Sequence, residues 1–212
     1  MGADERLFSA IEPIDGYEFI DIEWQYFSKI KTLKDYAVQI VKQIDTTRSF
    51  SLLGVSLGGM VCSELADIIH PEKVVIISSA KISKELPPQL TRLKFIGVTR
   101  LLNTQRIEYL VGNSSRFFGA MNSNQKKMFD QMVGDVNLDF VVWGIKAIIN
   151  WGKKTASAKI IHIHGTKDVV LPISNIIPTI IIEKGDHLMV WNKSEEINRQ
   201  LKEIFNPLGV IK

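Results

Sequence analysis

The chain alternates between short, continuous apolar runs and stretches in which apolar residues recur every three or four positions. Phe50-Ser51-Leu52-Leu53, Val74-Val75-Ile76-Ile77-Ser78, Lys159-Ile160-Ile161-His162-Ile163-His164 and Thr179-Ile180-Ile181-Ile182-Glu183 have the length and apolar continuity of buried strands. Gly16-Tyr17-Glu18-Phe19-Ile20-Asp21-Ile22 reads as a further strand. Helical faces lie between and after them. Leu33, Ala37, Ile40, Val41 and Ile44 follow the capping sequence Thr32-Leu33-Lys34-Asp35. Val61, Leu65 and Ile68 form a second face, and Ser194 through Phe205 turns Ile197, Leu201 and Ile204 inward. Strand and helix alternating in units of this length predict an α/β fold, with a mostly parallel central sheet flanked by helices.

The pattern changes between about Lys84 and Lys153. Leu86-Pro87-Pro88 interrupts the chain, and several helices with little strand character follow. This stretch holds Phe95, Phe117, Phe118, Phe129, Phe140, Trp143 and Trp151, with Met121, Met128 and Met132. Most of these residues are expected to pack the helices onto the sheet.

The chemistry concentrates at Gly54-Val55-Ser56-Leu57-Gly58-Gly59, between the Phe50–Leu53 run and the Val61, Leu65, Ile68 face. Strand, Gly-x-Ser-x-Gly, helix is the setting of a nucleophile elbow. A serine on so tight a turn occupies strained backbone, and glycines remove Cβ atoms that would collide there. The turn lifts the hydroxyl clear of the sheet and puts the Leu57 N–H at a helix N-terminus, where a developing oxyanion can be held. A helix cap would account for Ser56 alone, but not for glycines on both sides of it.

A serine hydroxyl needs a base, and the base needs an orienting acid. Asp168 follows the Lys159–His164 run in Gly165-Thr166-Lys167-Asp168, and His187 follows the Thr179–Glu183 run in Lys184-Gly185-Asp186-His187. Ser56, Asp168 and His187 therefore stand in the order Ser, Asp, His, each past the carboxyl end of a strand, where open parallel sheets gather their chemistry. As an ordinary turn residue Asp168 would need no particular strand before it. His187 is the only histidine downstream of Asp168. His70, before Pro71, and His162 and His164, in a strand, read as structural, with His164 placed to pin the acid loop by hydrogen bonding.

On these three motifs the chain resembles the α/β-hydrolase superfamily over nearly its whole length, and in particular its small bacterial members. The resemblance implies a serine hydrolase of the carboxylesterase or thioesterase kind, with catalytic residues Ser56, Asp168 and His187 and no cofactor. It also implies that the Lys84–Lys153 stretch is a helical cap, so that residues 1–83 and 154–212 form the hydrolase core and 84–153 the insertion. Dehalogenase and epoxide-hydrolase relatives carry aspartate where Ser56 stands. Gly2-Ala3-Asp4-Glu5-Arg6-Leu7-Phe8 resembles the loop after the family's third strand, which supplies the second oxyanion donor. Met1 and Gly2 are therefore expected to join Leu57 in the oxyanion hole. The strand that would precede this loop is missing, and in the family's sheet it lies between the Tyr17–Ile22 and Phe50–Leu53 strands. The expectation is a natural protein that starts about ten residues earlier with a β-rich run.

Composition narrows the picture. A hydrophobic fraction of 45% with 23% charged residues is ordinary globular usage, and 212 residues bury a large core. The net charge of +3 and scattered lysines give no stripe for nucleic acid. No apolar run reaches the ~20 residues of a membrane span, and the first residues lack a secretion signal. The single cysteine, Cys62, is expected to be packed and reduced, which fits a cytoplasmic protein. No Cys/His cluster has zinc spacing, so no metal is expected. The expected partner is a small apolar ester or thioester. The competing readings are a catalytically silent hydrolase fold that binds a ligand, and a related triad reaction such as carbon–carbon bond hydrolysis or perhydrolysis.

Overall fold

A computed structural model of the chain describes residues 4–94, 104–105, 119 and 121–206. Its centre is a four-stranded, wholly parallel sheet of β1 (Leu52–Val55), β2 (Val74–Ile77), β3 (Ile160–Gly165) and β4 (Ile180–Ile182), in the order β1-β2-β3-β4. Leu52 lies beside Val74, Val74 beside Ile160, and Ile163 beside Ile180. These are the four continuous apolar runs, within one or two residues of their expected ends. A strand buried on both faces has no polar side, which is why continuity rather than alternation marks it.

The helices are α1 (Leu33–Ile40), α2 (Leu57–Leu65), α3 (Pro88–Arg92), α4 (Ser123–Asp135), α5 (Leu138–Ile149), α6 (Met189–Asn192) and α7 (Ser194–Phe205). Thr32 Oγ1 accepts from the Asp35 N–H at 3.1 Å and caps α1, while the Asp35 carboxylate accepts from the Thr32 hydroxyl. Successive strand residues face opposite sides, so the sheet divides two cores. On one face Leu52, Val74, Ile76 and Ile160 meet α1, α2 and α5 through Leu33, Tyr36, Ala37, Met60, Phe140 and Trp143. On the other, Val55, Val75, Ile77, Ile163 and Ile182 meet α6 and α7 through Met189, Trp191, Ile197 and Leu201. Ile204, the third residue expected on the inner face of α7, is partly buried against the same cluster.

The aromatic residues of the 84–153 stretch that the structure describes are packing residues. Phe140 and Trp143 stack beside Tyr36, and the Trp143 Nε1–H donates to the Ile30 carbonyl at 2.7 Å. The Trp151 Nε1–H donates to the buried Glu64 carboxylate on α2 at 2.7 Å, and Lys153 pairs with Asp67. Phe129 and Met132 of α4 join the opposite cluster. Phe95, Phe117 and Phe118 lie outside the described residues.

One expected element is absent. Residues 17–22 join no sheet ladder, and β1 is the edge of the sheet among the described residues. A strand exists only against a partner backbone, and among the described residues none pairs with this segment. Just downstream, side chains hold the backbone instead. The Glu23 N–H donates to Gln43 Oε1 (2.9 Å), Gln43 Nε2 donates to the Glu23 carbonyl (3.1 Å), and the Gln25 N–H donates to the Tyr36 hydroxyl (3.1 Å). Phe19 and Ile20 are left 49% and 66% exposed, while Ile22, Trp24 and Phe27 pack against the α1 face. Among the described residues no helix is long and apolar enough to cross a membrane.

Candidate active site

The carboxyl ends of β1, β3 and β4 converge because the ladder continues past each strand into its loop. The Ser56 N–H donates to the Ile77 carbonyl (3.0 Å), Ser78 N–H to Ile163 (3.1 Å), and Thr166 N–H to Ile182 (3.1 Å). Ser56 sits between β1 and α2 with φ 53° and ψ −119°, the left-handed strain expected of a sharp strand-to-helix turn. Its side chain makes no capping hydrogen bond to α2, which removes the helix-cap reading. Gly54 makes this turn possible. A Cβ there would stand 2.5 Å from the Gly58 carbonyl carbon and 2.7 Å from Cys62 Sγ, far inside van der Waals contact. Leu57 opens α2, so its N–H has no carbonyl one turn back to bind it.

The two loops that carry Asp168 and His187 pack backbone to backbone. A Cβ on Gly165 would collide with the Gly185 carbonyl, and the Lys167 N–H donates to that same carbonyl at 2.8 Å. The Lys184 N–H, from a residue at φ 58°, is held by Thr166 Oγ1 at 2.8 Å. These contacts bring the three sequence-predicted residues into one line. The Ser56 hydroxyl lies 3.0 Å from His187 Nε2, and His187 Nδ1 lies 2.8 Å from Asp168 Oδ2. The other oxygen, Asp168 Oδ1, accepts the Val170 and Leu171 N–H groups at 2.9 and 2.8 Å. Burial alone would raise the Asp168 carboxyl. The hydrogen bond and electrostatic attraction from His187 and the Leu171 N–H outweigh it, and hold Asp168 below the usual carboxylate range. An ionised Asp168 only accepts, so His187 Nδ1 carries the hydrogen and Nε2, the nitrogen facing the Ser56 hydroxyl, is the acceptor of the neutral ring. Asp168 and His187 are 4% and 2% exposed, while Ser56 is half-buried at the surface end of the line.

Met1 and Gly2, expected to border the oxyanion position, lie outside the described residues. Of the three histidines expected to be structural, His70 is exposed and the other two are buried. His162 and His164 are fully buried on β3, and His164 Nε2 lies 2.8 Å from the Leu171 carbonyl. Cys62 is buried, and burial pushes its thiol up to about 12. Two supporting groups escaped the sequence reading. The Ser79 hydroxyl donates to the Ser56 carbonyl at 2.6 Å, bracing the elbow from the end of β2. Asp186 accepts the Leu188 N–H (3.0 Å) and the Asn192 side-chain amide (2.8 Å), fixing the loop around His187. Ser78-Ser79 directly follows a buried run, the position that marked the other site residues, and could have been found that way.

No protein-family model matches the chain, and no curated protein matches it in sequence. Solved structures do. A thermophilic esterase superposes with a TM-score of 0.67 at 17% identity, over 98% of this chain and 87% of that one. A lipase-esterase related protein from Clostridium acetobutylicum gives 0.61 at 14%, over 95% and 90%. Epoxide hydrolases of the α/β-hydrolase superfamily, from metagenomes of hot environments, give 0.52 at 14%, over 82% and 76%. At such identities the likeness is one of architecture: a parallel sheet between helical layers, with loops gathered at the carboxyl ends of the strands. The chain has the α/β-hydrolase fold.

Proposed function

We propose that the protein is a serine hydrolase that cleaves a carboxylic ester or thioester through an acyl-enzyme. The observation that carries this reading is the continuous line Ser56 Oγ, His187 Nε2, His187 Nδ1, Asp168 Oδ2, with both contacts at hydrogen-bond length. His187 takes the Ser56 proton as the oxygen attacks the carbonyl carbon, and Asp168 holds the imidazole in the tautomer that can receive it. The tetrahedral oxyanion is held by the Leu57 N–H and by a second donor from the loop that includes Met1 and Gly2. Collapse expels the alcohol or thiol, protonated by His187, and leaves the acyl group on Ser56. Water activated by the same imidazole then releases the acid.

In this reading residues 84–153 serve as a cap that shields Ser56 with apolar side chains and excludes bulk water. The substrate is accordingly a small molecule of moderately apolar acyl or alcohol character. Esterase and lipase-esterase neighbours of the same fold are consistent with this chemistry. A panel of p-nitrophenyl esters and acyl-CoA thioesters of increasing chain length, run on the native protein and Ser56→Ala, tests it. Turnover of at least one ester or thioester that disappears in Ser56→Ala is expected. A folded native protein inert to the whole panel would favour a ligand-binding role or a carbon–carbon substrate instead.

A further inference from the structure

Two buried groups beside Asp168 take no part in this chemistry. His162 and His164, two apart on β3 and so on one face, are fully buried, with ring centroids 5.0 Å apart and planes at 85°. His164 Nε2 faces the Leu171 carbonyl at 2.8 Å; a carbonyl only accepts, so this nitrogen carries the hydrogen. In a neutral ring His164 Nδ1 is then a bare lone pair, and His162 Nε2, 3.2 Å away, is its donor. That leaves His162 Nδ1 bare, and among the described residues it has no hydrogen-bond partner. The opposite assignment would make His164 an imidazolium and strand an unpaired N–H on His162, and buried orphan N–H groups are rarer than orphan acceptors.

The surroundings agree with two neutral rings. Burial first, then the electrostatic cost of a second positive charge near His164 and Lys81, push His162 down to about 2, with the Ser79 backbone opposing. Burial also lowers His164, helped by His187, while Asp168, Glu85 and the Leu171 carbonyl act in the other direction.

We propose that His162 and His164 are positioning residues, a tautomer-locked pair that aims Asp168 at His187 through Leu171. Leu171 is held at both ends, its carbonyl by His164 and its N–H by Asp168 Oδ1 at 2.8 Å, so the ring that fixes Leu171 fixes the carboxylate. His164 Nε2 lies 3.7 Å from Asp168 Oδ2, too far to draw that oxygen from the 2.8 Å bond to His187. A neutral imidazole thus anchors the loop without setting a second cation against the acid. His162 supplies the donor that keeps His164 in this tautomer. The inference rests on the hydrolase reading above.

The test uses the full chain, three His164 variants and Ser56→Ala, with kinetics on the best ester and NMR of the imidazole nitrogens and of the His187 Nδ1–H proton. Nitrogen shifts of the native protein should report the Nε2–H tautomer for both rings, unchanged between pH 5 and 8. His164→Ala should lower kcat by about 10- to 100-fold with KM nearly unchanged, and should broaden or shift the His187 proton, because the acid drifts from its line. His164→Gln, whose amide can reach the Leu171 carbonyl, should recover most of both. His164→Asn, too short to reach it, should behave like alanine and carries the test if alanine does not fold. An imidazolium at either position, or a folded His164→Asn with native kcat and native proton resonance, would overturn the proposal. If the native protein turns over no ester while the His187 resonance still shifts in asparagine and returns in glutamine, the positioning stands and the hydrolase reading falls. Turnover lost in Ser56→Ala, beside an unchanged resonance in His164→Asn, would sink the positioning and leave the hydrolase reading standing.

Discussion

Acidification from pH 7 to pH 5 should destabilise the fold, and His162 is the residue through which the effect can be isolated. A histidine of the unfolded chain takes up its proton near 6.5, whereas in the folded protein burial defers this to about 2. Between those values the unfolded state holds one more proton, so stability is intact above the unfolded value and falls as the pH drops below it. The slope is about 1.4 kcal/mol per pH unit, and its integral from pH 7 to 5 is about 2 kcal/mol. That is a sizeable part of the 5–15 kcal/mol typical of a domain. His164 is lowered by burial too and adds a contribution of the same sign. Asp168 behaves differently. Burial opposes its ionisation, but the His187 and Leu171 contacts prevail and depress it, so its contribution persists until the pH falls below the ordinary carboxylate range near 4. The window from 7 to 5 therefore reads the histidines. Urea unfolding of the native protein and His162→Gln at pH 7, 6 and 5 makes the comparison, since glutamine still offers His164 a donor but binds no proton. The native protein should lose about 2 kcal/mol more than the variant across the window. Stability curves that stay parallel over that range would refute the neutral, buried state of His162.

Three further outcomes follow from particular contacts. Gly54→Ala should cost about 3 kcal/mol or abolish folding, because its Cβ meets the backbone of Gly58, whereas Gly58→Ala, whose Cβ finds only Trp24 Cζ2 at 3.8 Å, should shift Tm little. Asp168→Asn should keep the far-ultraviolet spectrum while lowering kcat by about 10⁴-fold, since the imidazole then favours the wrong tautomer; near-native turnover would mean that another acid holds His187. Trp151→Phe strips the buried Glu64 carboxylate of its 2.7 Å indole donor and should cost about 1–3 kcal/mol in a urea melt, whereas no change would mean that Lys153 and solvent suffice.

The strands that carry the site were legible because a buried parallel strand writes its apolar residues without interruption, as Val74 through Ile77 does. The elbow was legible because Gly54 answers a steric need that no other residue meets. Tyr17 through Ile22 misled for a physical reason. Its alternation satisfies the local preference for a strand, but a ladder needs a neighbour, and local pattern carries no information about one. The bracing contacts of Ser79 and Asp186 were hidden because they depend on which loops meet in space. The tautomer chain through His162 and His164 became readable only once the Leu171 carbonyl was placed against it.

Ser56 is proposed to be a nucleophile activated by His187. Intact-mass measurement after treatment with a fluorophosphonate reads it without knowledge of the substrate. The native protein should gain the mass of one phosphonyl group, located on Ser56 by peptide mapping, and should do so faster than His187→Ala. Ser56→Ala should gain none. A folded native protein that stays unmodified, or a label that persists in Ser56→Ala, would contradict the claim.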